Sequence, residues 1–229
     1  MLCDGIATRI ARLDLSPRDR QWTSLSYCVV DAIWSINARY ESVVARLVRR
    51  VAVDNGDDQP VVDPSQPAPL DPLPLPELLK RYPEPMTLRS VANSQLTSPR
   101  GGITKAEAVL RYARVLVEHE IVDLTAAQAL LAVDDDRWAQ VNAELAKVPG
   151  EGHHGVRRGY LWMLCGDDHT VKPDRMILRW LARQGAPVTA GEARQVLHRA
   201  AEELTQQLAR PITPWMIDHA IWKAERGRL

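Results

Sequence analysis

Apolar residues recur at helical spacing along most of the chain. Between Trp22 and Val53 they return every three or four positions, which predicts a long helical region with one face in a core. Ser16 followed by Pro17 is typical of a helix start, because serine caps free amides and proline suits the first helical position. No segment alternates convincingly between apolar and polar residues. The pattern therefore predicts an all-α fold.

Three later helices are predicted from the capping-box pattern. In this pattern a Ser or Thr and a Glu or Gln three residues later satisfy each other's free amides. It occurs at Thr104 with Glu107, at Thr125 with Gln128, and at Thr189 with Glu192. A last helix is predicted from Thr213 to about Glu225, with Pro214 in its first position.

A proline-rich segment, 54–76, interrupts the helical pattern. It holds seven prolines, several aspartates and little to bury, so it predicts an extended, solvated surface loop. A ligand for a proline-recognition module is the alternative. The chain is expected to comprise N-terminal helices (1–53) that pack with C-terminal helices (186–229), this loop, and a helical domain (77–185).

The composition is that of an ordinary globular protein, with 45% hydrophobic and 25% charged residues in a chain of 229. No apolar run approaches the roughly 20 residues of a membrane helix, and no secretory signal is recognisable, so a soluble cytoplasmic protein without a membrane partner is expected. The cysteines, odd in number and far apart, predict buried reduced thiols rather than a disulfide framework. Basic and acidic residues balance at 29 each, so net charge does not indicate a nucleic-acid partner.

Residues 145–152, Leu-Ala-Lys-Val-Pro-Gly-Glu-Gly, predict a helix that ends near Lys147, a turn, and a second helix from His153 to Leu164. The turn glycines permit positive φ and a close approach to another molecule. Free amides at the start of the second helix suit a phosphate. A plain helix-helix turn is the alternative. The candidate DNA-binding residues are Val148, Gly150, Gly152, His153, His154, Arg157 and Arg158.

With its flanking sequence, this hairpin resembles the helix-hairpin-helix superfamily of base-excision DNA glycosylases, which includes endonuclease III. The stretch from Thr104 to His119 is similar to a helix that precedes the family's hairpin, and Ser24 to Asn37 to its N-terminal helix. The stretch 189–225 resembles its closing helices. The resemblance implies a two-lobed all-α fold with the helix-hairpin-helix motif at about 139–164. It also implies double-stranded DNA as the partner and a nucleoid-associated location.

The resemblance implies a catalytic aspartate at the start of the helix after the hairpin. Asp174 follows Gly152 by 22 positions, which requires a slightly longer loop than the family has. A carboxylate at a helix N-terminus is favoured as the anion by the free amides and the helix dipole. It can stabilise an oxocarbenium-like sugar or activate water once a base is flipped out. An ordinary helix cap is the alternative.

Three departures from the family change the expected chemistry. Bifunctional members carry a nucleophilic lysine where this chain has His154, and an imidazole does not form the imine, so no lyase activity is expected. The four cysteines of the endonuclease III iron-sulfur cluster are missing, so no cluster is expected. His153 and His154 point in different directions on a helix and predict no metal site. A monovalent cation is implied on the carbonyls of Ala146, Val148 and Glu151.

The family places aromatic and polar side chains around the flipped nucleotide. The candidates for a stacking pocket, each with core packing as its alternative, are Tyr27, Trp34, Trp162, Trp180, Trp215 and Trp222. Asn37, in the segment 35–39, is the candidate for filling the gap in the duplex, with an ordinary loop asparagine as the alternative. Lys172 is a candidate to contact DNA or to neutralise Asp174.

The sequence thus predicts a monofunctional DNA glycosylase that acts on a modified base in duplex DNA, without naming the base. A catalytically silent DNA-binding relative is the first alternative, favoured by the missing lysine and the neutral net charge. A helical protein-interaction module is the second alternative, and it would show no DNA affinity even at low salt.

Overall fold

The computed structural model describes residues 5–66, 69–133, 136–150 and 155–227. Over these ranges the protein is mostly helical, with a single small sheet, so the all-α prediction is confirmed. The helices are α1 (Ile6–Ile10), α2 (Leu25–Trp34), α3 (Ala45–Asp54), α4 (Leu75–Arg81), α5 (Pro85–Val91), α6 (Lys105–Glu118), α7 (Leu124–Ala132), α8 (Asp136–Ala146), α9 (Val156–Cys165), α10 (Arg175–Arg183), α11 (Ala190–Leu208) and α12 (Pro214–Arg226). A π-helical turn, Tyr40–Val44, precedes α3, and the strands β1 (Gln21–Trp22) and β2 (Val61–Val62) pair antiparallel. None of the described helices is long and apolar enough to cross a membrane.

The chain divides into two compact units. The terminal unit combines Met1–Asp19 with Asp167–Leu229, and the central unit is the continuous stretch Arg20–Gly166. Within the terminal unit α1 packs on α11. The rest of the predicted N-terminal segment, 20–53, instead belongs to the central unit, and these boundaries differ from the four segments predicted from composition.

The central unit is built around α2. All ten residues of this helix are buried, because its sequence is apolar on every face apart from a few small or paired polar residues. Helices α3, α4, α6 and α9 pack around it. A helix that must be covered on all sides draws its neighbours from distant parts of the sequence, which explains why 20–53 is not part of the terminal unit.

The predicted helix start at Ser16 is wrong. The Ser16 hydroxyl donates to Asp14, and residues 14–20 form no regular secondary structure. The chain then enters β1, whose backbone groups pair with β2 instead of with a helix. Ser24 is the actual N-cap of α2, and its hydroxyl oxygen accepts the N–H of Ser26 at 3.1 Å.

Two of the three capping boxes begin helices where predicted. Thr104 caps α6, and Thr189 caps α11 in a complete reciprocal box. Thr213 also caps α12 as expected. The prediction at Thr125 is wrong, because α7 begins earlier with Asp123 as its N-cap, whose carboxylate accepts the N–H of Ala126 at 2.7 Å. Asp is at least as good an N-cap as Thr, and the earlier start adds residues to the helix.

The proline-rich segment is anchored at its C-terminal end. Asp71 is buried, and its carboxylate accepts the backbone N–H groups of Leu25, Leu73 and Leu124 at 3.0, 3.0 and 2.9 Å. Leu25 begins α2 and Leu124 begins α7, so one carboxylate joins two helix N-termini to this segment. The prediction of a solvated loop is therefore wrong for residues 71–75. A buried anion at two helix starts is favourable because free amides point towards it.

The described cysteines match the predicted chemistry. Cys28 on α2 and Cys165 at the end of α9 are free and buried. Burial raises the pKa of the Cys28 thiol, and the neighbouring Cys165 thiol raises it further. The Cys28 thiol therefore stays protonated in the core, and Cys3 lies outside the described residues.

Candidate functional site

The predicted hairpin lies between α8 and α9 in the central unit. The described chain reaches Gly150 and resumes at Gly155, so Glu151, Gly152, His153 and His154 lie outside the described residues. Gly150 has the predicted positive φ, 89°. A Cβ at this position would overlap the side chain of Thr97, so glycine is required both for its conformation and for its space.

The prediction that Arg157 contacts DNA is wrong. Its side chain is 1% exposed and lies beneath the turn, where it donates to the carbonyls of Val148 at 2.9 Å and Pro149 at 3.2 Å. It also donates to the hydroxyl of Tyr112 at 2.9 Å. The Val148 carbonyl, one of the three on which a monovalent cation is implied, therefore already has a guanidinium as its partner. The Val148 side chain is itself buried.

Arg158 connects the two hairpin helices and stays partly exposed. Its guanidinium donates to the carbonyl of Asn142 on α8 at 2.7 Å. The Asn142 side chain in turn accepts the indole N–H of Trp162 at 2.9 Å. The start of α9 is thereby fixed to α8, and a DNA contact by Arg158 stays a prediction.

A second turn, Ser98–Gly102, lies next to the hairpin. It is closed by an isolated bridge between Leu96 and Thr104, and its N-terminal neighbour Thr97 is the residue that contacts Gly150. Arg100 at the turn is exposed. Sequence analysis missed this turn, although Pro99-Arg-Gly-Gly102 is a strong turn sequence.

Lys105 joins this second turn to the segment 35–39. The ammonium group is buried and donates to the carbonyls of Trp34 at 2.9 Å and Ile36 at 2.8 Å, at the C-terminal end of α2. It also donates to the side-chain oxygen of Gln95 at 3.2 Å, just before the turn. Burial lowers the pKa of Lys105 to about 8. Cations stabilise helix C-termini, so Lys105 acts as a C-terminal cap for α2.

The other end of the segment 35–39 is held by Asp31. This buried carboxylate accepts the indole N–H of Trp22 at 2.8 Å and the hydroxyl of Tyr40 at 2.9 Å. Tyr40 begins the π-helical turn. Between the two anchors, Asn37 is exposed with φ 52°, a left-handed conformation that asparagine tolerates better than most residues. Its gap-filling role stays a prediction.

These contacts bring three loops of the central unit together. The loops are the segment 35–39, the turn 98–102 and the described hairpin residues 147–150, and we call them the loop edge. Lys105 with Gln95 links the first two, and Thr97 against Gly150 links the last two. The loop edge carries an exposed asparagine, Asn37, and three exposed basic residues, Arg39, Arg100 and Lys147. Buried charged side chains hold its backbone from the core side.

Asp174 lies in the terminal unit as the N-cap of α10, so its predicted place at a helix start is confirmed. Its Oδ1 accepts the N–H groups of Met176 at 2.7 Å and Ile177 at 3.2 Å. The residue is partly exposed. The carboxylate is thus fixed in direction yet reachable from solvent.

Lys172 contributes a backbone hydrogen bond to this arrangement. Its N–H donates to Oδ2 of Asp218 on α12 at 2.7 Å. Asp218 is 5% exposed, and burial raises its pKa to about 7, while the Lys172 N–H lowers it and the charge of Asp174 raises it. Sequence analysis missed Asp218, although a carboxylate inside the apolar stretch 214–221 is unusual. A DNA contact by Lys172 stays a prediction.

The pocket prediction is wrong for the three candidates in the central unit. Tyr27, Trp34 and Trp162 have no exposed surface. The indole N–H of Trp34 donates to Asn93 at 2.9 Å, and that of Trp162 is satisfied by Asn142 as described above. Tyr27 and Trp34 lie on α2, which is covered on every side, and Trp162 lies on the buried face of α9, so no ring face is left for a base.

The three candidates in the terminal unit differ among themselves. Trp180 is 3% exposed and belongs to the packed face of α10. Trp215 is nearly buried, with the His219 ring stacked at 4.8 Å and the Arg18 guanidinium 4.2 Å from its centroid. Neither presents a face for stacking, so the pocket prediction is wrong for both. Trp222 is partly exposed, and its contact with a base stays a prediction.

Metal ligands do not cluster in the described ranges, where no three or more His, Cys, Asp or Glu side chains are placed to hold an ion.

A protein-family model matches residues 3–226, and its description is "Domain of unknown function (DUF8548)". No curated protein and no solved structure matches the chain.

Proposed function

The chain belongs to the DUF8548 family, whose description assigns no function, and from its own residues we propose that it is a monofunctional DNA glycosylase. It binds duplex DNA through the helix-hairpin-helix motif at α8 and α9, turns a modified base out of the stack, and hydrolyses the bond between that base and its sugar. The all-helical fold agrees with this proposal, and so does the packing of α1 on α11.

The observation that carries the proposal is that the Asp174 carboxylate is held by two amides and is partly exposed to solvent. The resemblance to helix-hairpin-helix glycosylases singles out this residue, and it begins α10 with its carboxylate held by two amides and partly exposed. Helix dipole and amides favour the anion at this position. A fixed, reachable anion is what is needed beside a sugar that becomes positively charged as its base leaves.

The loop edge supports the DNA-binding half of the proposal. Phosphate groups are bound by backbone amides at turns and helix starts and by arginine side chains. Arg100 lies on the turn whose neighbour Thr97 contacts Gly150 of the hairpin, and Arg158 lies in the first turn of α9. Because Arg157, Lys105 and Thr97 fix these loops from the core side, little ordering entropy remains to be lost on binding.

The proposed reaction is a hydrolysis. The C1′–N bond breaks and its electron pair leaves with the base, while a water oxygen forms a new bond to C1′. One water hydrogen stays on the new hydroxyl group and the other ends on the released base, so the products are the free base and an abasic site. Asp174 stabilises the cationic sugar and accepts the proton from the attacking water before it passes to the base.

Strand cleavage is not part of the proposal. His154 stands at the position where bifunctional relatives have their lysine. The buried Lys105 is no substitute, since its ammonium group is engaged by two helix carbonyls and a glutamine. Product strands should therefore remain intact until they are treated with alkali.

Base release by wild type and by Asp174→Asn tests the proposal. Both proteins are incubated with duplexes carrying alkylated, oxidised, deaminated or mispaired bases, and abasic sites are scored with hot alkali. Asparagine is as good an N-cap as aspartate, so the variant keeps α10 while losing the anion. We expect wild type to release one class of base and Asp174→Asn to be slower by at least about 100-fold, the scale on which lost transition-state charge stabilisation is measured.

Asp123→Asn is the matched control, because it makes the same change at the N-cap of α7 in the central unit. It should release bases at the wild-type rate. Equal rates for wild type and Asp174→Asn would contradict the proposed catalytic role. Release of no base by wild type from any duplex would contradict the proposed activity.

A catalytically silent DNA-binding protein is the second candidate function. It is favoured by the two amide hydrogen bonds of Asp174, which an ordinary helix cap also makes. In that case wild type and Asp174→Asn would bind duplex DNA equally, with affinity that falls as salt rises, and neither would release a base.

A further inference from the structure

A path of two hydrogen bonds leads from α12 to the backbone of Asp174. Asp218 on α12 accepts the N–H of Lys172 at 2.7 Å. The carbonyl of Lys172 then accepts the N–H of Asp174 at 2.6 Å. All three residues lie in the terminal unit, and the first hydrogen bond spans 46 positions of sequence.

The same face of α12 also holds the other end of α10. Glu225, two turns beyond Asp218, is buried and pairs with Arg179 at 3.6 Å and with Arg183. The segment that enters α10 and the last turn of α10 are therefore both bound to carboxylates of one neighbouring helix. This arrangement leaves α10, and with it the direction of its N-cap, little freedom to shift.

A buried carboxylate at position 218 is costly for the fold. Burial disfavours the charged form, and the neighbouring charge of Asp174 disfavours it further, which agrees with the raised pKa of Asp218. An apolar residue would fill this place on α12 at lower cost. The hydrogen bond to Lys172 is what the carboxylate adds, and that bond fixes the two residues that precede Asp174.

We propose that Asp218 is a positioning residue that sets the place of the Asp174 carboxylate, an inference that rests on the proposed glycosylase function. Asp218 acts through the backbone of Lys172 and does not itself touch DNA. Displacing a catalytic group by about 1 Å costs on the order of 100-fold in rate, so the length of this connection matters. The role depends on geometry, and the charge of Asp218 is not required for it.

Two variants separate geometry from charge. Asp218→Asn keeps an acceptor oxygen at the same reach and removes the charge, whereas Asp218→Glu keeps the charge and pushes the acceptor out by one methylene. In the full-length protein we expect Asp218→Glu to slow single-turnover base release by about 10- to 100-fold with an unchanged Kd for duplex DNA. Asp218→Asn should keep the wild-type rate. Glu192→Gln, an exposed capping residue of α11 in the same unit, is the control.

Hydrogen exchange at the amides of Met176 and Ile177 gives a readout that needs no activity. These are the amides that Asp174 binds, so their protection should fall in Asp218→Glu and stay at the wild-type level in Asp218→Asn. Equal protection in both variants would overturn the inference, as would a slow Asp218→Asn beside a wild-type-like Asp218→Glu. If wild type releases no base, the proposed function fails, and the two amides still decide whether Asp218 positions Asp174.

Discussion

Three buried charged side chains in the central unit bind backbone groups. Lys105 caps the carbonyls that end α2, Arg157 holds the carbonyls of the hairpin turn, and Asp71 gathers the amides that begin α2 and α7. A charge that is buried without a partner costs several kcal/mol, which makes each of these residues difficult to replace. Each one fixes a loop or a helix end among the described residues.

Asp218 makes the stability of the protein depend on pH. Its pKa in the folded protein is about 7, against an ordinary value of 3.8, so between these values the folded state binds a proton that the unfolded state does not. The stabilisation of the folded state by this proton is complete below pH 4 and is lost as the pH rises through 7. The groups that act on it are the Lys172 N–H and side chain and the carboxylate of Asp174.

Asp218→Asn should remove this dependence. Urea unfolding at pH 5.5 and at pH 8 should show the free energy of unfolding of wild type falling relative to the variant at the higher pH. The full effect of the shift is about 4 kcal/mol, and this interval captures part of it. A wild-type-minus-variant difference that is the same at both pH values would show that Asp218 titrates as an ordinary exposed aspartate.

At the scale of elements, Arg157 supplies hydrogen-bond donors to two carbonyls of the hairpin turn. Arg157→Met should lower the free energy of unfolding by about 3 kcal/mol, because two turn carbonyls and the Tyr112 hydroxyl lose a charged donor. It should also make duplex binding tighter in K⁺ than in equimolar Li⁺, since a free cation can then reach the vacated carbonyls. Wild type should not distinguish the two salts.

Arg89→Met, at an exposed position on α5, is the control for the lost charge and should change neither property. Thermal unfolding followed by circular dichroism and a titration of labelled duplex in each salt provide the two measurements. Wild-type binding that already prefers K⁺ would show that the turn takes a free cation in addition to the guanidinium.

Elements whose signals are local were predictable from the sequence. Thr104, Thr189 and Thr213 begin helices because a hydroxyl and an amide three residues later meet without help from the rest of the fold. The failures depend on distant partners. Ser16 does not begin a helix because β1 pairs with β2. Asp123, and not Thr125, is the N-cap of α7, and the first amide of that helix is also bound by the buried Asp71.

The candidate site likewise contains residues that local sequence predicts and residues whose role depends on distant partners. Asp174 was predictable because its capping role depends on the residues that immediately follow it. The buried role of Arg157 and the contact of Thr97 with Gly150 were not, because helical periodicity does not tell which charged side chain turns inward to a loop. The candidate tryptophans were assigned to a pocket by residue type, whereas size and apolar character place Trp34, Trp162, Trp180 and Trp215 in the core.

For the whole molecule, the balance of charge limits how the proposed DNA partner can be bound. Because basic and acidic residues are equal in number, attraction to phosphate has to come from local groups such as Arg100 on the loop edge. Arg100→Ala should weaken duplex binding and reduce the slope of log Kd against log salt concentration by about 1. Titrations at several salt concentrations measure both quantities.

Arg111→Ala, on the outer face of α6, is the comparison, since it removes the same charge from a helix where Glu107 is its partner. Its salt slope should equal that of wild type. Equal slopes for Arg100→Ala and wild type would exclude a phosphate contact at the turn 98–102.

The division of the chain also orders events during its synthesis. The central unit is one unbroken stretch, so all of it has left the ribosome before the last helices have been made. The terminal unit has α1 at the beginning of the chain and the partner of α1, the helix α11, near the end. The apolar residues Ile6, Ala7 and Ile10 of α1 therefore leave the ribosome well before α11, and they stay uncovered by it until the whole central unit has been made.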